Sequence, residues 1–174
     1  LIDYARGASQ GDTLHPTPIY LHALIDAVAA EAETLASKQS NRFIVDVRNL
    51  PGIVSVDAKR LQQILQNLLA NAAKFTHNGA IRLTVRSSQP KPGFVKIKFN
   101  VSDTGPGIAL EDQARIFQPF ERLPSAGRSP GLGLGLAIAA QWAERMNARI
   151  TVRSRPGHGT TFVLSLTVPL ARED

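Results

Sequence analysis

The period of the apolar positions changes several times along the chain, and each change marks an element. Leu21, Leu24, Ile25, Val28, Ala32 and Leu35 recur at steps of three and four, the spacing of one helix face. Thr17-Pro18 just before them reads as an N-cap followed by Pro at the first helical position, so a helix is expected over roughly 18 to 38. Phe43, Val45 and Val47 then alternate with Ile44, Asp46 and Arg48 as in a strand, and Asn49-Leu50-Pro51-Gly52 turns the chain into a short strand from Ile53 to Val56. Asp57 stands where it can cap a second long helix, whose stripe is Leu61, Ile64, Leu65, Leu68, Ala72 and Phe75 and which ends before His77-Asn78-Gly79.

Alternation resumes at Ile81, Leu83 and Val85. Ser87 to Gly93, with Pro90 and Pro92, predicts the turn of a hairpin whose second strand runs from Phe94 to Ser102. A short helix is expected from Ala109 to Phe117, followed by a segment in which Pro119, Pro124, Gly127, Pro130 and Gly131 exclude regular structure and predict a mobile loop. Leu134 to Met146 is helical in spacing, and Asn147 suits the left-handed residue that ends a helix. Two last strands, Arg149 to Arg155 and Thr160 to Val168, flank Pro156-Gly157-His158-Gly159. Segregated helices and hairpin-linked strands predict a two-layer α/β sandwich, with helices on one face of a mixed, mostly antiparallel sheet.

Composition narrows the class. With 174 residues, 43% hydrophobic, 20% charged and no Cys, the chain fits one soluble domain with a single core, and not a disordered tail, a coiled coil or a disulfide scaffold. The lack of Cys also excludes a thiol nucleophile and a zinc–thiolate site. No stretch nears the roughly 20 apolar residues of a membrane span, and the first residues lack the regions of a signal peptide. Leu1 in place of Met suggests a piece cut from a longer protein. The formal charge of +6 raises the possibility of a polyanion partner, but Arg42, Arg48, Lys59, Arg82, Lys96, Lys98, Arg115 and Arg149 are dispersed and no run of five like charges occurs. A solvated mixed surface and no nucleic-acid partner are therefore expected.

Three constellations carry possible chemistry. Asn67, Asn71 and Lys74 fall within roughly 60° of one another on the second long helix, beside its apolar stripe. Amides ligate Mg²⁺ or bond phosphate oxygens and Lys adds positive charge, although the same spacing serves a solvated helix edge. Asp103-Thr104-Gly105-Pro106-Gly107 ends a strand whose phase, set by Val95, Ile97, Phe99 and Val101, points Asp103 inward. A buried carboxylate needs a partner such as an exocyclic amine, and glycines let backbone approach a flat ligand; a strand-ending turn uses the same residue types. Gly131-Leu132-Gly133-Leu134-Gly135-Leu136 leads into a helix and offers an anion cradle of backbone amides. It matches neither the Rossmann fingerprint nor a P-loop, and a hinge or close helix–sheet packing is the plainer reading of it.

Taken in this order and spacing, with Ile116-Phe117-Gln118-Pro119-Phe120-Glu121-Arg122 between the second and third, the chain closely resembles the catalytic ATP-binding domain of sensor histidine kinases, in the superfamily shared with gyrase, heat-shock chaperone ATPases and mismatch-repair MutL. Gln63 to Thr76 resembles the asparagine box, Asp103 to Gly107 the first glycine box, and Gly157 to Phe162 the closing hairpin. The resemblance covers 17 to 170, leaving 1 to 16 as the end of an upstream hairpin plus a linker and 171 to 174 as a tail. It implies the Bergerat-type ATP-binding fold and a phosphotransferase that uses ATP and Mg²⁺. By it, Asp103 reads the adenine amine with help from Thr160, Gly105 and Gly107 border the base, Asn71 ligates Mg²⁺, Asn67 and Lys74 contact phosphates as the catalytic pair, and Gly131, Gly133, Gly135 and Leu136 wrap the triphosphate. Arg122 and Arg128 are its candidates for a lid cation. Two positions depart from the pattern: Leu132 stands where a small polar residue is usual, and Asn147-Ala148 replaces a frequent Gly-Gly.

The same resemblance implies a phosphoacceptor histidine on an upstream dimerisation domain, a response-regulator receiver domain as the next partner, a homodimeric parent with this fragment a monomer, and a cytoplasmic location for a parent that can be anchored in the inner membrane. His15, His22, His77 and His158 all lack the acidic flank of an acceptor. A hydrolytic ATPase of the same superfamily would carry Glu at position 67 to activate water, and Asn67 is no base. The alternatives are a regulatory nucleotide-binding module without turnover, against which intact Asn71, Lys74 and Asp103 argue, and such an ATPase.

Overall fold

The computed structural model describes residues 13–118 and 135–172. The first described element is a short strand, β1 (Thr17–Tyr20), and the long helix α1 (Leu21–Ser37) begins only after it. The expected N-cap at Thr17-Pro18 is thus overturned. Thr17 to Tyr20 pair antiparallel with β3 (Ile53–Val56), and the Leu21 N–H bonds the Gly52 carbonyl at 3.1 Å. Pro18 is tolerated because this ribbon has only two strands, so a residue without an N–H costs no second ladder.

Six further elements complete the sheet and much of its cover. Strand β2 (Arg42–Val47), helix α2 (Ala58–Phe75), strands β4 (Ala80–Lys91) and β5 (Phe94–Asp103), and strands β6 (Arg149–Ser154) and β7 (Thr160–Pro169) give a sheet of order β2-β4-β5-β7-β6. Only β2 and β4 run parallel; the other pairs are antiparallel. A parallel pair needs a crossover, and the chain from β2 to β4 supplies it with α2. The Asp57 side chain caps that helix by accepting from the Arg60 N–H at 3.1 Å. Val45 is 41% exposed although it alternates with polar residues as expected, because β2 is an edge strand.

The segment read as a broad turn from Ser87 to Gly93 is mostly strand. The β4 ladder continues past Ser88, shifts register before Lys91 and turns only at Pro92-Gly93, with Gly93 at φ 82°. A bulge absorbs Pro90, which cannot donate to the ladder. The expected helix over 109 to 117 is split into α3 (Leu110–Gln113) and a 3₁₀ turn (Arg115–Phe117). Helix α4 (Gly135–Arg145) ends as the sequence implies, with Asn147 at φ 55°. The loop predicted over 119 to 134 lies outside the described residues.

Helices α1, α2 and α4 cover one face of the sheet. Ile81, Leu83 and Val85 of β4, Ile97, Phe99 and Val101 of β5 and Phe162 and Leu164 of β7 are each 1% exposed or less. Trp142 of α4 is buried, with the Arg60 guanidinium 3.7 Å from its ring centroid and that of Arg145 4.8 Å away. This stacking fastens α4 to α2. The opposite face of the sheet overturns one expectation: cations scattered in sequence gather on it, because β-pleating sends every second residue of adjacent strands to the same side. Arg82, Lys96, Lys98, Arg149 and Arg153 are all exposed there.

Candidate functional site

The inward phase of β5 puts the Asp103 side chain at the sheet end of a cleft bordered by α2. Antiparallel pairing sets Asp103 beside Ile81 of β4 and Thr160 of β7. The Gly105 N–H donates to Asp103 Oδ1 at 2.9 Å. Burial pushes the carboxyl above its usual 3.8, opposed by the backbone N–H groups of Gly105 and Thr160 and by the Thr76 hydroxyl, which favour the anion. Thr76 follows α2 directly and is 1% exposed. Its hydroxyl lies close enough to act on the carboxyl, yet Oγ1 completes no hydrogen bond of full geometry. A buried hydroxyl in that condition is unusual, and it stands beside the carboxylate that sequence alone had singled out.

Gly105 has no room for a side chain. A Cβ there would lie 3.0 Å from Asp103 Oδ1, 3.0 Å from the Phe75 carbonyl oxygen and 3.0 Å from Thr76 Oγ1. The end of α2, the end of β5 and the glycine loop therefore meet at one point. Gly107, at φ 81°, is held against the Arg155 carbonyl, which a Cβ would strike. Pro106 O accepts from the Gly157 N–H at 2.7 Å, and the Ile108 N–H donates to Ser154 Oγ at 2.7 Å. Ser154 Oγ also lies 2.8 Å from the buried Thr160 Oγ1, while the Gln113 amide spans the Ile108 and Ser154 carbonyls at 3.0 Å each. Thr76, Ser154 and Gln113 were missed by sequence reasoning. Only Thr76 had a signal, a hydroxyl immediately after the helix; the other two act through contacts distant in sequence.

Asn67, Asn71 and Lys74 are partly exposed along α2, on the edge expected of them. The Asn67 amide Nδ2 donates to the Gly135 carbonyl at 3.0 Å, tying the first constellation to the start of α4. The Lys74 ammonium lies 5.5 Å from the Phe75 ring centroid. Beyond it the helix end is pinned by Asn41, whose Nδ2 donates to the Thr76 carbonyl at 2.6 Å and whose Oδ1 accepts from the Gly79 N–H at 2.9 Å. Gly135 is exposed and a Cβ there would meet nothing, while Leu136 is half-buried. Gly131, Gly133, Leu132, Arg122 and Arg128 lie outside the described residues.

The described residues hold no cluster of three His, Cys, Asp or Glu side chains fit to bind a metal ion. An ion at Asn71 would thus need its other ligands from a bound anion and water, which is how Mg²⁺ is ordinarily held beside phosphates. Nor is any described helix long and apolar enough to cross a membrane.

Known proteins are similar to this chain in sequence and fold. The family described as histidine kinase-, DNA gyrase B- and HSP90-like ATPase matches residues 56–172. The virulence sensor protein BvgS of Bordetella bronchiseptica is 33% identical over 99% of this chain, and the sensor protein GacS of Pseudomonas syringae is 34% identical over 100% of it. The chain spans only 14% of the first and 20% of the second. Among solved structures, full-length ShkA in complex with AMPPNP superposes with a TM-score of 0.84 at 31% identity, covering 99% of this chain and 35% of that one. The catalytic domain of the histidine kinase ThkA, in a nucleotide-free form, gives 0.72 at 27% identity, covering 90% of this chain and 97% of its own. With well over half of its length matched, and with an inward Asp103, a glycine loop and an amide-lined α2 converging as described, the chain belongs to the histidine kinase-, DNA gyrase B- and HSP90-like ATPase family.

Proposed function

We propose that this chain is the ATP-binding catalytic domain of a two-component sensor histidine kinase, which transfers the γ-phosphate of Mg·ATP to a histidine on another domain of a longer polypeptide. The observation that carries the reading is that α2 serves both ends of the cleft. Its last residue adjoins Thr76, beside Asp103 and Gly105, while Asn67 two turns and more upstream bonds the start of α4. Asn67 to Thr76 is about 13 Å along a helix axis, a span comparable with an extended nucleoside triphosphate. Adenine at the Asp103 end puts the phosphates beside Lys74, Asn71 and Asn67.

Each side chain then has a role its chemistry supports. Asp103 accepts from the exocyclic amine, and Thr76 and Thr160 supply hydroxyls at the rim of the base. Asn71 would hold Mg²⁺ beside the phosphates, where the ion would help offset their charge, and Lys74 adds its own positive charge. Gly131, Gly133, Gly135 and Leu136 wrap the triphosphate, with Arg122 and Arg128 as lid cations. Transfer of this kind is mainly positioning and charge neutralisation. Asn67 commits its amide N–H to Gly135 and has no basic atom to activate water, which favours transfer over hydrolysis. The acceptor belongs to a dimerisation and histidine phosphotransfer domain, and the phosphate passes on to a receiver domain.

Incubation of the chain with γ-labelled ATP tests the reading. The chain alone should stay unlabelled. Adding the parent protein's dimerisation hairpin in trans should yield acid-labile, base-stable phosphate on that hairpin. Rapid release of inorganic phosphate, or labelling of the chain lost in His15→Ala or His22→Ala, would refute it.

A further inference from the structure

The face of the sheet that no described helix covers carries a field of cations that nucleotide handling does not use. On one rung Arg86 of β4 stands opposite Lys98 of β5, and the line continues through Ser165 of β7 to Arg149 of β6. Four residues along, Arg82 faces Ser102, then Thr161, then Arg153. Lys96 extends the field on the other side, opposite Thr167. At the β2 edge Arg42 and Arg48 join it. Among the described residues Asp46 is the one carboxylate on these outward positions, and it is already engaged: Arg86 Nη2 lies 3.0 Å from Oδ2 and Arg48 Nε 3.3 Å from Oδ1. This face therefore accounts for the whole of the chain's formal charge of +6, and the remainder is close to neutral.

Like charges directly opposite one another destabilise a ladder, and Arg86 opposite Lys98 is such a pair. The arrangement concentrates positive charge on one surface, with Arg86 offset in part by Asp46. Its chemistry points to carboxylates. Arginine forks match them bidentately, and the hydroxyls of Ser102, Thr161, Ser165 and Thr167 lie between the cations as further donors. Nucleic acid fits less well, because among the described residues the one outward aromatic, Phe94, lies at the end of the field and is already covered by the Lys91 ammonium, 4.3 Å from its ring centroid, so no open stacking ring stands between the cations of the central rungs. An anionic membrane fits less well too, since of the outward apolar residues Ile44, Phe94 and Val163 are half-buried within the sheet and only Pro169, at the end of β7, is exposed, which gives no protruding aromatic or aliphatic anchor.

We propose that the open face of the β2-β4-β5-β7-β6 sheet docks an acidic protein surface, a flat patch rich in Asp and Glu on another domain or partner. The cationic field covers roughly 20 Å by 20 Å from strand spacing and rise. That is smaller than the ~800 Å² per partner of a standard interface, so the contact is transient and charge sets its capture rate. Nothing in this inference depends on how nucleotide is bound.

Fluorescence anisotropy with labelled poly-L-glutamate, run over a salt series, tests it on the full chain. Lys98→Glu/Arg153→Glu on the face is compared with Lys38→Glu/Lys59→Glu, just after α1 and on α2, exposed positions of equal charge change. The face variant should weaken binding about tenfold or more at low salt and flatten its salt dependence, with the control within about twofold. Thermal unfolding checks both variants, and Lys98→Glu alone should raise the midpoint by giving Arg86 an opposite charge across the ladder. Equal losses in the two double variants would overturn the proposal. So would tighter binding, at matched charge, of oligothymidylate or of phosphatidylglycerol vesicles than of poly-L-glutamate.

Discussion

Replacing Asp103 with Asn should separate nucleotide recognition from stability, and in opposite directions. The Gly105 N–H claims Oδ1, so an Asn at 103 must turn its carbonyl to that donor and its NH₂ to where Oδ2 stood. An exocyclic amine arriving there meets a donor instead of an acceptor. Leaving such a group unpaired costs about 1–3 kcal/mol, or roughly five- to 150-fold in Kd for ADP. The fold should respond the other way. Burial raises the Asp103 carboxyl above 3.8, so the native state holds this proton more tightly than the unfolded chain does. The stability contributed by that proton is full below 3.8 and lost as pH rises through the raised value. At neutral pH the buried charge is a cost that Asn removes. Calorimetric titration with ADP and GTP, with urea unfolding of the nucleotide-free protein from pH 7 down to 3.5, measures both. ADP affinity should fall while the urea midpoint at pH 7 stays level or rises, the two midpoints converging at the acid end. Undiminished ADP binding by Asp103→Asn, or GTP binding as tight as ATP in the parent, would refute the role given to Asp103.

Thr76→Val keeps the shape and deletes a buried hydroxyl without a full hydrogen bond, so at pH 3.5 the apo protein should unfold at an unchanged temperature, with at most a small loss at pH 7 where the hydroxyl favours the Asp103 anion, while ADP affinity falls roughly two- to twelvefold; an unchanged Kd in the same titration would remove Thr76 from the site. Asn71→Ala should abolish the gain in ATP affinity that Mg²⁺ confers, measured with and without EDTA, and leave metal-free binding within about twofold. Gly107 and Gly157 share φ 81°, but only Gly107 would press a Cβ onto the Arg155 carbonyl. Gly157→Ala should therefore cost about 1 kcal/mol from the backbone alone and Gly107→Ala clearly more in thermal unfolding; equal costs would show that the loop moves aside. Asp57→Ala should cost about 1 kcal/mol, because its carboxylate caps α2 and also accepts from the His15 N–H at 2.9 Å.

The sequence made some features legible because their periods are local. The stripe of α2 and the alternation of β5 are read within single segments, and they place Asn67, Asn71, Lys74 and Asp103 where the structure has them. Asn147 announces its left-handed turn by residue type. Thr17-Pro18 misled for the same local reason: the dipeptide favours a helix start, but pairing with Ile53 to Val56, more than thirty residues away, outweighs it. The bulge near Pro90 and the Ser154 hydrogen bonds also depend on partners remote in sequence. The basic face was invisible for a related reason. Dispersion along a chain says nothing about dispersion in space once five strands are laid side by side, and a two-residue period turns isolated cations into rows.

Rigidity is distributed unevenly over the cleft, and this bears on how such a domain works. At the Asp103 end the backbone is immobilised by contacts that leave no slack: a Cβ on Gly159 would strike the Asp103 carbonyl, one on Gly107 the Arg155 carbonyl, and Ser154 joins both hairpin strands to the loop. Lys74 and Asn71 sit on a helix whose far end is fixed by Asn41. The start of α4 has a weaker hold. Gly135 is exposed with open space around it, and one amide hydrogen bond from Asn67 links it to α2. A net contribution of about 1 kcal/mol for such a bond is small enough for a triphosphate to replace. If Asn67 turns from the Gly135 carbonyl to a phosphate oxygen, binding both recruits a phosphate ligand and releases the helix start. The base is then read by a preformed site, while the phosphates are met, among the described residues, by the more weakly held part of the cleft. Amide exchange at Gly135 and Leu136 should therefore change on adding Mg·ATP while that at Asp103 and Gly105 stays nearly constant, and equal change at both ends would contradict this division.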